Sequence, residues 1–173
     1  VCIKRPLIAS QLHGALTLGR APTVPRQHKM DILRKCFLFR NFSAAHLEKI
    51  IAMARTVTLP GKYVVFEKAS AGDEMLVVTS GRLQVSVADG DGREIVLGMV
   101  GVGEIVGEIA MLDGRGRSAT AVTLEPCELL VIQRKDFMPF LEQNPKAAID
   151  LIMVLALRLR LNTEQLVGLL DGA

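Results

Sequence analysis

The chain has 173 residues, enough for one domain with a buried core, and half of its residues are hydrophobic. Its formal net charge of +3 is modest and its cations are dispersed, so charge alone gives no case for nucleic-acid binding. The three cysteines lie far apart and lack CxxC spacing, which argues against a disulfide framework, a structural zinc site or an iron–sulfur cluster. We therefore expect a cytoplasmic protein without a metal or another cofactor.

The amino-terminal segment, residues 1–26, shows no clean hydrophobic period. Its prolines and glycines predict a poorly ordered or loosely docked extension, with one short helix near Ile8–Leu18. The segment lacks a long uninterrupted apolar core, so we do not expect a secretory signal. No stretch of the chain is apolar for long enough to predict a membrane span.

Helical spacing begins after this extension. Apolar residues predict a short amphipathic helix over Met30–Phe37 and a second helix over Ala44–Ala54. Ser43 stands where an N-cap is expected, because its side chain can accept a hydrogen bond from a free amide of the first turn. His46, three residues later, is expected to be exposed.

Between the second helix and residue 134 the apolar spacing changes to two. Short β-branched runs alternate with turn residues roughly every ten residues. The predicted strands are Val57–Leu59, Val64–Phe66, Met75–Thr79, Leu83–Val87, Ile95–Val100, Ile105–Val106, Ser118–Leu124 and Glu128–Ile132. This pattern predicts a mainly β domain over residues 27–143, an antiparallel β-roll or jelly roll with flanking helices.

The carboxyl-terminal part, residues 144–173, predicts one long helix from Pro145 to Leu170 after a short one over Asp136–Leu141. Its apolar stripe consists of Ile152, Leu155, Leu159, Asn162, Leu166 and Leu169. The stripe either packs on the helix's own barrel or meets its twin in a homodimer, and we favour the dimer. Asn162 could fix the register of such a seam, or could with Thr163 hydrogen-bond something lodged between helix and barrel.

One stretch, Gly107–Val122, which we call the cassette, combines residues suited to a small anionic ligand. Gly107 lacks a Cβ and precedes a short helical turn, whose free amides attract negative charge. Arg117 offers a planar fork of donors to a phosphate, and Ser118 adds a hydroxyl. Glu108 would repel a phosphate, so it is expected to accept hydrogen bonds from sugar hydroxyls. Phosphate donors and a sugar acceptor this close together indicate a compact nucleotide.

Four segments together carry a resemblance to a known family. They are GDEMLVVTSGRLQVSV, DGREIVLGMVGVGEIVGE, GEIAMLDGRGRSATAV and RLRLNTEQL. In this order they resemble the cyclic-nucleotide-binding domain of the cyclic AMP receptor protein (Crp/Fnr-type) family of regulators, over roughly Met30 to Leu170. The resemblance implies a ligand-gated switch in which a cyclic nucleotide changes the packing of the long helix. Cyclic AMP is the favoured nucleotide and cyclic GMP the second candidate. The family's helix-turn-helix domain is not expected within these residues, so DNA would be bound only through a domain absent from this chain.

The resemblance also implies a role for individual residues. Gly107 and Glu108 would hold the ribose, and Arg117 and Ser118 the cyclic phosphate. The remaining implied positions are the cassette backbone at Ile109 and Ala110, the pocket wall at Val85, Val87, Val96 and Ala119, and the base-contacting lid at Asn162 and Thr163. Gly116 stands where many such cassettes have proline, and the family's Thr-Ser pair on the helix is replaced here by Asn-Thr, which leaves the identity of the base open.

Other functions remain as alternatives. The same domain could regulate a channel or a kinase, or could be a ligand-free degenerate domain used for protein interaction. An enzyme on the same β-roll, such as a metal-dependent cupin, would need histidines on the strands. The three histidines, His13, His28 and His46, all precede the β region. We therefore expect no catalytic residues and no metal site.

Overall fold

The computed structural model describes residues 24–171, apart from the side chains of Asn162 and several later residues of the last helix. The helix expected near Ile8–Leu18 lies outside these residues. In chain order the elements are α1 Arg26–Lys35, α2 Ala44–Met53, β1 Arg55–Leu59, β2 Val64–Phe66, β3 Glu74–Ser80, β4 Leu83–Ala88, β5 Glu94–Val100, β6 Ile105–Val106, α3 Glu108–Asp113, β7 Thr120–Thr123, β8 Cys127–Gln133, α4 Arg134–Gln143 and α5 Pro145–Asp171. No helix in this part of the chain is both long and apolar enough to cross a membrane.

The strands form two antiparallel four-stranded sheets. One has the order β1-β8-β3-β6 and the other β2-β7-β4-β5. Between them lies a core of buried apolar side chains: Leu59, Leu76, Val78, Leu83, Val106, Ala121, Cys127, Leu129 and Val131. The predicted mainly β roll with flanking helices is confirmed.

The central strands β3 and β8 are buried on both faces. Leu76 and Val78 face the second sheet, whereas Met75 and Val77 face a helical layer built from α1, α2, α4 and α5. The same alternation holds along β8. This explains why these two strands are continuous apolar runs in the sequence, since a strand covered on both faces has no solvent side.

The helical lead-in follows the predicted pattern with two differences. The Ser43 side chain accepts a hydrogen bond from the His46 amide at 3.2 Å, as an N-cap does. The helix α1 begins at Arg26 and ends at Lys35, because Cys36 takes an extended conformation. The His46 side chain is half-buried, edge-on to the rings of Phe42 and Phe140, so the expectation of an exposed histidine was wrong.

The long helix α5 carries two apolar faces. Ala147, Leu151 and Val154 are buried in the helical layer. On the predicted stripe, by contrast, Ile152 and Leu159 are 63% and 68% exposed. Packing on the chain's own core therefore uses one face of the helix and leaves most of the described part of the stripe uncovered.

Candidate functional site

The segment between β6 and β7 forms a short helix, as predicted. Gly107 precedes α3 with φ +83°, a left-handed conformation that favours glycine. A Cβ at this position would also collide with the guanidinium of Arg117 and lie 3.2 Å from the Glu74 carbonyl oxygen. Both the backbone conformation and the lack of space therefore require glycine here.

Arg117 is a buried cation beside this helix, with 5% of its surface exposed. Its Nη1 donates to the carbonyl oxygens of Glu74 at 2.6 Å and Gly107 at 2.9 Å, and its guanidinium lies 4.3 Å from the ring centroid of Phe66. Burial lowers the pKa of Arg117, while the negative charges of Glu74, Asp73 and Glu108 act in the opposite direction. The side chain still remains charged at neutral pH, because the ordinary pKa of arginine lies far above 7.

Within the described part of the chain, the charge of Arg117 has no direct counter-ion. Among the described residues no carboxylate lies within ion-pair distance of it, and its Nε is buried without a hydrogen-bond partner. A buried charge without an ionic partner is costly, and its unused donor is suited to an anion entering from outside the chain. This side chain is therefore the strongest indication of an anion site.

Glu108, the first residue of α3, is also buried, with 4% of its surface exposed. Its Oε1 accepts a hydrogen bond from Nη1 of Arg158 on α5 at 2.6 Å. The carboxylate thus links the cassette to the long helix. Sequence reasoning did not assign Arg158 to the site. A signal was available, because Arg158 precedes Asn162 by four residues and so lies on the same helical face.

These side chains surround a cavity of about 290 Å³. It is lined by Phe66, Val85, Leu97, Gly98, Met99, Val100, Ile105, Val106, Gly107, Glu108, Ile109, Ala110, Arg117, Ser118, Ala119 and Arg158. All the residues predicted for the phosphate, the ribose and the cassette backbone are among them. The volume is close to the lower limit of about 300 Å³ for small-molecule sites, which suits a compact ligand.

Two of the predicted wall residues do not line the cavity. The pairing of β4 with β5 shifts between Val85, which faces Gly98, and Ser86, which faces Val96. The extra residue, Leu97, forms a bulge there and enters the cavity lining. Val96 consequently pairs on the face opposite to Val85 and is 49% exposed. Gly98 in the middle of the strand was the sequence signal for this bulge.

Val87 shares its face of β4 with Val85 but pairs with Ile95, nearer the hairpin turn, and does not line the cavity. On α5, Thr163 is exposed and its hydroxyl donates to the Leu159 carbonyl at 3.0 Å, so it is turned to its own helix and also lies outside the lining. The side chain of Asn162 lies outside the described residues. Arg158 is the residue of α5 that lines the cavity in the described part of the chain.

A second cavity, of about 500 Å³, shares Ile105, Glu108 and Arg158 with the first. Its lining mixes apolar residues such as Phe37 and Leu161 with Lys35 and Glu104. It is the larger of the two, but it lacks Arg117 and the cassette amides. The buried guanidinium of Arg117 and the cassette amides therefore belong to the smaller cavity.

Comparison with known proteins relates this site to a family. The family model for the cyclic nucleotide-binding domain matches residues 56–144, just over half of the chain. The cyclic AMP receptor protein of Thermus thermophilus is 30% identical over 123 residues, which are 71% of this chain and 57% of that protein. The chain thus spans little more than half the length of this relative.

Solved structures with similar folds include a transcription-regulator domain and a domain bound to cAMP. The N-terminal domain of a transcriptional regulator from Streptomyces coelicolor A3(2) aligns with a TM-score of 0.69 and 32% identity, over 78% of this chain and 96% of that one. The regulatory domain of Toxoplasma gondii PKA, crystallised with cAMP, aligns with a TM-score of 0.63 and 28% identity, over 66% of this chain and 43% of that one.

Proposed function

We propose that this chain, which belongs to the cyclic nucleotide-binding domain family, senses a cyclic nucleotide in the cavity beside α3. The observation that carries the proposal is Arg117, a buried cation at the cavity wall whose described hydrogen bonds go only to backbone carbonyls. Cyclic AMP is the favoured ligand because cAMP is named both for the Thermus relative and for the Toxoplasma structure, and cyclic GMP is the second candidate.

In the proposed complex the cyclic phosphate lies against Arg117 and Ser118, next to the amides of Ile109 and Ala110. These donors supply charge and hydrogen bonds without a metal. The ribose lies near Gly107, and one of its hydroxyls donates a hydrogen bond to Glu108. Val85 and Ala119 provide an apolar wall, and we keep Asn162 and Thr163 as candidates for contact with the base after a movement of α5.

Binding would be coupled to α5 through Arg158. In the structure Glu108 is already occupied, because it accepts a hydrogen bond from Arg158. A ribose hydroxyl that donates to Glu108 competes with this bond and so changes what holds α5 to the cassette. The ligand would shift the population between two positions of the helix to the extent that it binds one of them better.

The uncovered face of α5 supports a homodimer through this helix. The described apolar residues on it that are at least half exposed are Ile149, Ile152, Met153, Leu159 and Val167. Such an exposed apolar stripe is unusual on a monomer and is typical of a helix that packs against a partner. We divide the chain into an extension (residues 1–26), a sensor (27–143) and a dimerisation helix (144–173).

In the whole protein we propose that this sensor serves a Crp-type transcription regulator in the cytoplasm, with DNA bound by a separate domain, and that it is not an enzyme. The names of the Thermus and Streptomyces proteins favour this assignment. A second candidate is a regulatory module of a kinase or channel, since the regulatory domain of Toxoplasma PKA and a plant potassium channel are also similar to this chain. A ligand-free domain used for protein interaction is the third, and titration with nucleotides separates it from the others.

Titration calorimetry with cyclic AMP and cyclic GMP tests the ligand assignment. We expect Arg117→Ala to weaken binding by about 2–4 kcal/mol, because a buried charged contact is lost. Arg115→Ala is the matched control, since Arg115 lies on the same loop but is exposed. Ser118→Ala, at an exposed position, should weaken binding by about 1 kcal/mol.

Two results would contradict the proposal. If the unmodified protein binds neither nucleotide at millimolar concentration, the cyclic-nucleotide assignment is rejected. If Arg117→Ala and Ser118→Ala both bind with unchanged affinity, the phosphate is held elsewhere.

A further inference from the structure

The helix α3 is too short to be stable by itself. It has six residues, and its i to i+4 bonds at the two ends join the Met111 amide to the Gly107 oxygen at 3.3 Å and the Gly114 amide to the Ala110 oxygen at 2.9 Å. Nucleation makes so short a helix unfavourable in isolation. The position of Glu108 and of the cassette amides therefore depends on contacts from outside the helix.

Each end of α3 is held by an arginine. At the beginning, Arg117 donates to the Gly107 oxygen. At the end, Nη1 of Arg134 donates to the carbonyl oxygens of Met111 and Leu112, the second at 2.9 Å. The last carbonyls of a helix have no partner within it and carry the negative end of the helix dipole, so a cation is favourable there.

Arg134 also connects α3 to the loop before β3. It is the first residue of α4, and its backbone amide donates to the backbone carbonyl oxygen of Asp73 at 2.7 Å. The neighbouring Gly72 lies so close to the cassette that a Cβ there would collide with that of Ala110 and lie 3.1 Å from the Arg117 side chain. Arg134 thus fastens α3 to the loop beneath it and to α4, although it does not line the cavity.

We propose that Arg134 is a positioning residue for ligand binding: by binding the last carbonyls of α3, it holds Glu108 and the cassette amides in the arrangement that a cyclic nucleotide requires. This inference rests on the proposed function. Without the hydrogen bonds from Arg134, α3 would be ordered in a smaller fraction of the ligand-free molecules, and the affinity falls in proportion to that fraction. Nothing in the sequence pattern separates Arg134 from the other cations at the ends of helices.

The test compares Arg134→Ala with Arg134→Lys and with Lys135→Ala, an exposed control at the next position. Calorimetry with cyclic AMP should show about ten-fold weaker binding by Arg134→Ala, comparable to the loss of one charged hydrogen bond. The lysine variant should recover part of the affinity, since an ammonium group can also donate to two carbonyls. Lys135→Ala should bind like the unmodified protein.

Hydrogen exchange of the ligand-free protein gives a readout that does not depend on the nucleotide. In Arg134→Ala the amides of residues 108–114 should exchange faster, while those of β3 and β8 remain protected. The inference would be overturned if exchange in residues 108–114 of Arg134→Ala were unchanged, or if the exchange rate rose equally in all elements. It would also be overturned if the unmodified protein bound cyclic AMP and Arg134→Ala bound it with the same affinity. Failure of the unmodified protein to bind would instead reject the proposed function, and the exchange data would still decide whether Arg134 holds α3.

Discussion

At the scale of single residues, the site depends on one close approach. Arg117 reaches the carbonyl oxygen of Gly107, and that contact is possible only because residue 107 has no side chain. The same glycine has a positive φ, which turns the chain into α3. Two separate physical requirements, backbone conformation and space, therefore coincide at one position.

Substitution by alanine separates these two requirements. Gly103 has φ +86°, but no atom lies within 4 Å of the place that a Cβ would take there, so Gly103→Ala should cost only the left-handed penalty of about 1–2 kcal/mol. Gly107→Ala should destabilise the protein by about 1–3 kcal/mol more, because the new methyl group overpacks against Arg117. Urea denaturation measures both free energies of unfolding. Equal values for the two variants would show that the contact with Arg117 does not restrict this position.

At the scale of elements, α3 and α5 are joined by a single polar contact among the described residues. Glu108 is buried, whereas the side chain of Arg158 is 47% exposed. Removal of the arginine would leave a buried carboxylate without this partner, which is more costly than the net contribution of the pair itself. The two partners are thus not equivalent: loss of Arg158 leaves a buried carboxylate without this partner, whereas loss of Glu108 leaves a half-exposed arginine that water can solvate.

Arg158→Ala should accordingly lower the free energy of unfolding by about 1–3 kcal/mol. Arg160→Ala, which removes an exposed arginine two residues later on the same helix, should change it by less than about 0.5 kcal/mol. Saturating cyclic AMP should reduce the difference in free energy of unfolding between Arg158→Ala and the unmodified protein, because a ribose hydroxyl then donates a hydrogen bond to Glu108. Denaturation of the unmodified protein and both variants, with and without ligand, measures these free energies of unfolding. A loss from Arg158→Ala no larger than that of its control would show that the pair contributes nothing.

At the scale of the molecule, apolar surface is concentrated on two elements. One is the outer stripe of α5, and the other is β5, an edge strand on which Ile95, Leu97 and Met99 are each about half exposed. An exposed apolar edge strand promotes association unless something covers it. The distribution of this surface favours a protein that functions with a partner, and a second copy joined through α5 is our proposal.

A lysine on the stripe tests this assembly. Ile152→Lys should convert a dimer into monomers, because it buries a charge in an apolar seam. Leu124→Lys makes the same kind of change at an exposed apolar residue of the β-roll and should leave the assembly intact. Sedimentation velocity over micromolar concentrations gives the mass of each species. A monomeric parent protein, or a dimer that tolerates Ile152→Lys, would contradict the proposed interface.

The sequence by itself determined the β-roll, the capped second helix, the helical turn after Gly107 and the long final helix. These follow from local signals, namely apolar period, turn residues and capping, which act over a few neighbouring residues. It also singled out Arg117 and Glu108, since their charges beside a glycine are visible without a fold.

Only the tertiary structure decided which residues share the cavity. The bulge at Leu97 moved Val96 off the predicted wall, and the packing of α5 placed Arg158, not Thr163, at the cavity. Both outcomes depend on contacts between segments distant in the chain, and a one-residue shift in a strand or a rotation of a helix changes them without altering any local pattern.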